Sequence, residues 1–209
     1  MLIKVCGMRD SANINEVAAL KPDLLGFIFY PKSKRYVGED FDPGLVQSLQ
    51  PEIETVGVFV NEDSERLTDL AKQFRFDYLQ LHGNESPEYC RQAQCDGFKI
   101  LKAFGISPGF NWDILKPYED VCDYFLFDTS TKDFGGSGQK FDWALLDDYK
   151  LSKPFLLSGG IGPDDSAVIL GITHPGFAGI DINSRFETVP GYKNINTIEL
   201  FFAEIRTKH

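Results

Sequence analysis

A thiol, a carboxylate, a fork of guanidinium nitrogens and two turns of small residues carry the chemistry legible in this chain. Cys6 closes the run Leu2-Ile3-Lys4-Val5, and Lys4 stands two residues before it. Asp128 closes a second run, Tyr124-Phe125-Leu126-Phe127. A thiol near a cation is a candidate general base, because the cation favours the thiolate. A carboxyl in an apolar setting is a candidate general acid, because burial favours its protonated form. Phe125, Leu126 and Phe127 suggest such a setting for Asp128. In a strand, Lys4 and Cys6 share a face, so Lys4 is expected to hold the thiolate. The alternative is a structural lysine paired with a carboxylate such as Asp181. Arg35 offers a planar fork for a carboxylate or phosphate. Gly159-Gly160 and Asn183-Ser184 are small-residue turns where backbone N–H groups could approach an anion. His82 sits in Gln80-Leu81-His82-Gly83.

Each of these residues also has a plain structural reading. A cysteine at a strand end is commonly a small buried apolar residue, an aspartate there can cap the next turn, and an arginine can lie on the surface. His82 has a structural reading too. Their convergence decides the matter, and that depends on the elements that carry them.

Short, nearly continuous apolar runs recur at Leu2–Cys6, Leu24–Phe29, Glu54–Phe59, Tyr78–Leu81, Phe98–Lys102, Tyr124–Asp128, Phe155–Ser158 and Gly179–Asp181. Strands covered on both faces read this way. Helical spacing intervenes: Ile14, Val17 and Ala18; Leu67, Leu70, Ala71 and Phe74; Ala167, Val168 and Leu170 after Pro163; and Ile195, Ile198, Phe201, Phe202 and Ile205. Phe41–Leu49 and Asn111–Leu115 give weaker helical signals. Strand starts about 20–30 residues apart match the length of a βα unit. Eight such units predict an α/β fold, a (β/α)8 TIM barrel in one domain spanning 1–209, with an open doubly wound sheet as the alternative. Cys6-Gly7-Met8-Arg9-Asp10 lacks the glycine fingerprint of that alternative. A barrel sets its working residues at the C-terminal ends of its strands, where all of the residues above would meet. The loop Thr129–Asp142, with Gly135-Gly136-Ser137-Gly138, is expected to cover the site.

The 209 residues are 43% hydrophobic and 25% charged, which excludes disordered, collagen-like and coiled-coil classes. The net charge of −10 and the lack of a basic run argue against nucleic acid but leave room for a small anionic ligand. No apolar run is long enough for a membrane span, and the first residues read as a strand rather than a leader. Cys6, Cys90, Cys95 and Cys122 form no C-x-x-C pair, and with only His82, His174 and His209 beside them no metal site is expected. No disulfide pattern is visible, so a reducing cytoplasm is the expected location.

The motifs are specific enough to carry a resemblance along the whole chain. Lys4-Val5-Cys6-Gly7-Met8, Gly26-Phe27-Ile28-Phe29, Ser33-Lys34-Arg35-Tyr36-Val37, Val56-Gly57-Val58-Phe59-Val60-Asn61, Gln80-Leu81-His82-Gly83, Gly135-Gly136-Ser137-Gly138 with Phe141-Asp142-Trp143, Ser158-Gly159-Gly160-Ile161, and Gly179-Ile180-Asp181 with Gly191-Tyr192-Lys193-Asn194 resemble, in order, blocks of the phosphoribosylanthranilate isomerases of tryptophan biosynthesis. The resemblance implies a (β/α)8 barrel, no metal, no organic cofactor and a small phosphorylated substrate, undergoing an Amadori rearrangement from aminoaldose to 1-deoxyribulose. It puts the catalytic pair on Cys6 and Asp128, and the chemistry of the two groups makes Asp128 the expected acid and Cys6 the expected base. It puts the grip on the anthranilate carboxylate on Arg35, and phosphate binding on Gly159, Gly160, Asn183 and Ser184. Lys4, His82 and Asp181 join Arg35 as candidate substrate-binding residues. Arg185 stands where the family has glycine, so either the loop geometry differs or the guanidinium adds a phosphate contact. Another aldose–ketose isomerase is the competing enzyme reading, and a phosphate-binding barrel without turnover is the non-enzyme one. Monomer and homodimer are both open.

Overall fold

The computed structural model describes residues 1–130 and 140–206. Eight strands close into a barrel in sequence order: β1 (Leu2–Cys6), β2 (Leu24–Ile28), β3 (Glu54–Phe59), β4 (Tyr78–Leu81), β5 (Lys99–Ile106), β6 (Tyr124–Thr129), β7 (Phe155–Leu157) and β8 (Phe177–Ile182). Every neighbouring pair is parallel, and β8 returns to β1 with Asp181 beside Lys4. The (β/α)8 expectation holds, and the open-sheet alternative falls with the β1–β8 pairing.

Strand alternation sorts side chains into two cores. Val5, Leu25, Phe27, Leu79, Phe125, Phe127 and Ile180 point outward into the layer beneath the helices. Leu24, Val56, Val58 and Tyr78, with Leu101, Ala103, Leu126 and Leu156, fill the barrel interior. Two aromatic clusters stiffen the outer layer. One holds Phe29, Phe59, Phe74 and Phe76; the other holds Trp112, Phe127, Tyr149 and Phe155.

Helices begin where a short acceptor side chain can satisfy the first free N–H groups. Asp10 caps α1 (Ser11–Ala19), Asp42 caps α2 (Pro43–Gln47), Asp63 caps α3 (Ser64–Phe74) and Ser86 caps α4 (Pro87–Cys95). The faces expected on α1, α3 and α6 (Ile195–Arg206) pack inward. The face expected after Pro163 does not. Pro163–Asp165 winds as a 3₁₀ turn, so α5 (Ser166–Leu170) starts late and turns Ile169 into the core, leaving Val168 59% exposed. Between β5 and β6 the connection is a 3₁₀ run, Trp112–Val121, interrupted by Pro117, which has no N–H to sustain an α-helix. A second 3₁₀ run, Trp143–Asp148, follows β6. The hairpin β9 (Glu187–Val189) and β10 (Tyr192–Lys193) follows β8, and strand patterning in the sequence did not announce it.

Candidate active site

The C-terminal ends of the strands surround a pocket that opens to solvent. Cys6, His82, Asp128, Gly159, Gly160, Asp181, Asn183 and Ser184 all line it, together with Gln80 and Ser158. Lys4 and Arg35 do not reach its wall. Cys6 and Asp128 therefore come from strands three steps apart around the barrel, and the two small-residue turns share their cavity.

The carboxylate side is built by β4 and β6. Leu126 and Asp128 point inward, whereas Phe125 and Phe127 point into the outer core. The phenylalanines thus do not surround Asp128 as the sequence suggested, because the period of two in a strand puts them on the opposite face. What meets Asp128 is polar. Its Oδ1 accepts the Thr129 N–H at 2.7 Å, and its Oδ2 lies 3.3 Å from Nε2 of His82. Nδ1 of His82 lies 2.8 Å from the Gln80 amide nitrogen. The turn carrying His82 rests on a buried ion pair: Lys102 Nζ donates to Glu85 Oε2 at 3.0 Å and to the Leu81 and Gly83 carbonyls. Glu85 in turn accepts the N–H groups of Asn61 and Gly83.

The thiol side is built by β1, β7 and β8. Lys4, fully buried, donates from Nζ to Asp181 Oδ1 at 2.9 Å, and Ser158 Oγ donates to Asp181 Oδ2 at 3.3 Å. Gly26, opposite Cys6 in register, leaves the space both groups need: a Cβ there would lie 2.9 Å from the Cys6 sulfur and 3.1 Å from Lys4 Nζ. Burial disfavours the Lys4 ammonium, but Asp181 and Cys6 outweigh it, and its pKa rises above the usual value. Burial also pushes the Cys6 thiol up. Lys4 pulls against that rise and Asp181 adds to it, leaving the thiol above its ordinary range. The lowered thiol expected from Lys4 alone is therefore corrected, because desolvation and Asp181 together exceed the lysine's effect. Lys4 is a buried support beneath the thiol rather than a wall residue.

Beside the thiol lies a second buried network. Arg35 donates from Nε and Nη2 to Glu187, with a closest approach of 2.7 Å. Lys193 Nζ donates to Glu187 Oε1 at 2.8 Å and to Asn183 Oδ1 at 2.7 Å. Arg35 is thus engaged by Glu187 instead of projecting into the cavity, while its Nη1 makes no hydrogen bond among the described residues. Gly7, at φ +78°, passes between Arg35 and Asn183, whose atoms would lie 2.7 and 2.8 Å from a Cβ there. Glu187, Lys193 and Gln80 escaped the sequence reading as site residues. Gln80 was visible in principle, standing on β4 two residues before His82.

Gly159 and Gly160 have φ of +85° and +64°, conformations suited to glycine. A Cβ on Gly159 would lie 2.6 Å from Thr129 N and 2.8 Å from Asp128 Oδ1. Asn183 leads into the 3₁₀ turn Ser184–Phe186. Arg185 occupies that turn without a positive φ and sets its Cβ and Cγ near Gly162, so replacing glycine imposes no left-handed strain. The expected covering loop falls largely on residues 131–139, which lie outside the described residues. At its far flank Lys140 Nζ meets Asp165 Oδ1 at 2.5 Å. Among the described residues no group of three or more His, Cys, Asp or Glu side chains is arranged to hold a metal.

A closed barrel whose strand ends bring a thiol, a carboxyl and two small-residue turns into one cavity is the architecture of a (β/α)8 enzyme site. The comparisons narrow the class. The family model described as N-(5'phosphoribosyl)anthranilate (PRA) isomerase matches residues 3–204. The N-(5'-phosphoribosyl)anthranilate isomerase of Parabacteroides distasonis is 48% identical over 98% of this chain and 93% of its own. The crystal structure of phosphoribosyl anthranilate isomerase from Thermotoga maritima superposes with a TM-score of 0.83 at 32% identity, covering 99% of this chain and all of that one. A further solved isomerase, in complex with reduced 1-(o-carboxyphenylamino)-1-deoxyribulose 5-phosphate, gives 0.80 at 29% identity, covering 99% of this chain and all of its own. The chain belongs to the N-(5'-phosphoribosyl)anthranilate isomerase family and is an isomerase.

Proposed function

We propose that Asp128 is the general acid and Cys6 the general base of the Amadori rearrangement that this family carries out in tryptophan biosynthesis. The observation that carries the reading is one cavity lined by both groups, each with its own partner: His82 beside Asp128, and Lys4 with Asp181 beside Cys6. Asp128 delivers a proton to the furanose ring oxygen as the C1'–O bond breaks, and the anthranilate nitrogen lone pair forms the C1'=N bond of a cationic Schiff base. Cys6, as thiolate, removes the proton from C2'. The resulting enolamine takes a proton at C1' and loses one from the C2' hydroxyl, giving the ketone. Lys4 stabilises the thiolate, and the cationic Schiff base stabilises it further once ring opening has occurred.

The turns at Gly159-Gly160 and Asn183-Ser184 hold the substrate phosphate, supported by their shared cavity and by the left-handed φ of Gly159 and Gly160, which lets backbone come close to a ligand. For Arg35 to take the anthranilate carboxylate, its side chain must move from beside Glu187 toward the cavity, with Nη1 the nitrogen that Glu187 does not already hold. The chain works as one barrel domain on a small phosphorylated substrate in the cytoplasm; the four free thiols support that location. No helix among the described residues is long and apolar enough to cross a membrane.

A turnover assay with substrate formed in situ tests the roles. Cys6→Ser and Asp128→Asn should each lower kcat by about 10²–10⁴-fold with folding intact. Arg35→Ala should chiefly raise KM. Preserved turnover in both Cys6→Ser and Asp128→Asn would sink the assignment.

A further inference from the structure

Gln80 is 1% exposed, lines the cavity and has no part in the chemistry above. Its amide nitrogen lies 2.8 Å from His82 Nδ1, and its Oε1 has no hydrogen-bond partner among the described residues. Among the described residues the present orientation leaves the carbonyl oxygen and one N–H without a partner; the opposite one would leave both N–H donors of the NH₂ unpaired, and orphaned buried donors are the rarer case. With the NH₂ toward the ring, Nδ1 must accept. A neutral imidazole then carries its proton on Nε2, the nitrogen 3.3 Å from Asp128 Oδ2.

We propose that Gln80 is a positioning residue that holds the His82 proton on Nε2, so that His82 faces Asp128 as a donor and never as an acceptor. The inference rests on Asp128 being the general acid. Oδ1 of Asp128 already receives the Thr129 N–H, so the transferable proton belongs on Oδ2. In the other tautomer, Nε2 would offer a lone pair to that proton and compete with the furanose oxygen. In the tautomer Gln80 enforces, the proton is left for the substrate. The carboxylate formed when it departs gains the Nε2–H bond, which is worth more to a charged acceptor than to a neutral acid.

The test is ¹⁵N NMR of His82 in the full chain at neutral pH, its signal assigned by loss in His82→Asn, combined with kinetics of Gln80 variants. The expected result is a neutral ring protonated on Nε2. Gln80→Glu, which offers an acceptor to Nδ1–H, should move the proton to Nδ1 or charge the ring. It should lower kcat by about 10–100-fold, with KM held within about twofold. Gln80→Leu should mix the tautomers and cost less. A wild-type ring protonated on Nδ1 overturns the proposal whether or not any variant folds, and so does Gln80→Glu with tautomer and kcat both unchanged. Turnover retained in Asp128→Asn is a different failure: it removes the acid assignment and leaves the Nε2–H reading of the ring standing.

Discussion

The Cys6 thiol sits among opposed charges, and their balance is measurable. Burial and Asp181 push it up while Lys4 pulls it down, with the net above its usual value. Thiolate therefore grows as pH rises, and alkylation of Cys6 in the free enzyme should titrate with a midpoint above the roughly 8.5 of an unperturbed thiol. Asp181→Asn should lower that midpoint by removing the neighbouring anion. Lys4→Met should raise it. A midpoint that ignores both changes would disconnect the thiol from this pair. The sequence showed that Lys4 and Cys6 share a face, which alternation alone establishes. It could not show the size of the desolvation, because burial is a property of eight strands rather than two residues. The same alternation, applied to Phe125 and Phe127, would have excluded them from the Asp128 environment. Gln80 was legible as an inward neighbour of His82, but its role depends on which way an amide points.

Among the elements, the β9–β10 hairpin carries most of what the sequence hid. Its Glu187 holds Arg35 and Lys193 together, and its Lys193 exchanges backbone bonds with the Asn13 side chain. Two- and three-residue strands have no room for a period, so no patterning announces them. The eight barrel strands were legible because each is buried on both faces. The 3₁₀ connections were not, since a shifted helix start changes which residues face inward, as Ile169 shows. Burial raises the Glu187 pKa, but Arg35 and Lys193 outweigh it and leave it lowered. Its contribution to stability is therefore present above the unfolded value of about 4.3 and is lost as pH falls through the lower folded value. Glu187→Gln should cost about 3–5 kcal/mol at neutral pH, the scale for stranding buried partners of opposite charge. It should also flatten the acid limb of a urea-denaturation series below about pH 4.3. An acid limb as steep as that of the wild type would place the titration elsewhere.

For the whole molecule, an anion held by the folded barrel and absent from the unfolded chain must stabilise it. Inorganic phosphate at about 100 times its dissociation constant should add about 2.7 kcal/mol to unfolding. Gly159→Ala should weaken this stabilisation, since a Cβ there meets Thr129 and Asp128. Equal stabilisation of wild type and variant would place the bound anion away from the β7 turn. The closure of the barrel has one more consequence. Lys4 and Asp181 are 177 positions apart, and Arg35 and Glu187 are 152 apart. A ribosome making this chain delivers Cys6 and Lys4 long before Asp181. Until β8 emerges, Lys4 has no Asp181, and until the hairpin emerges, Arg35 has no Glu187. A product stalled before β8 thus carries the thiol and its lysine without the carboxylate that joins them, and this arrangement is completed only late in synthesis.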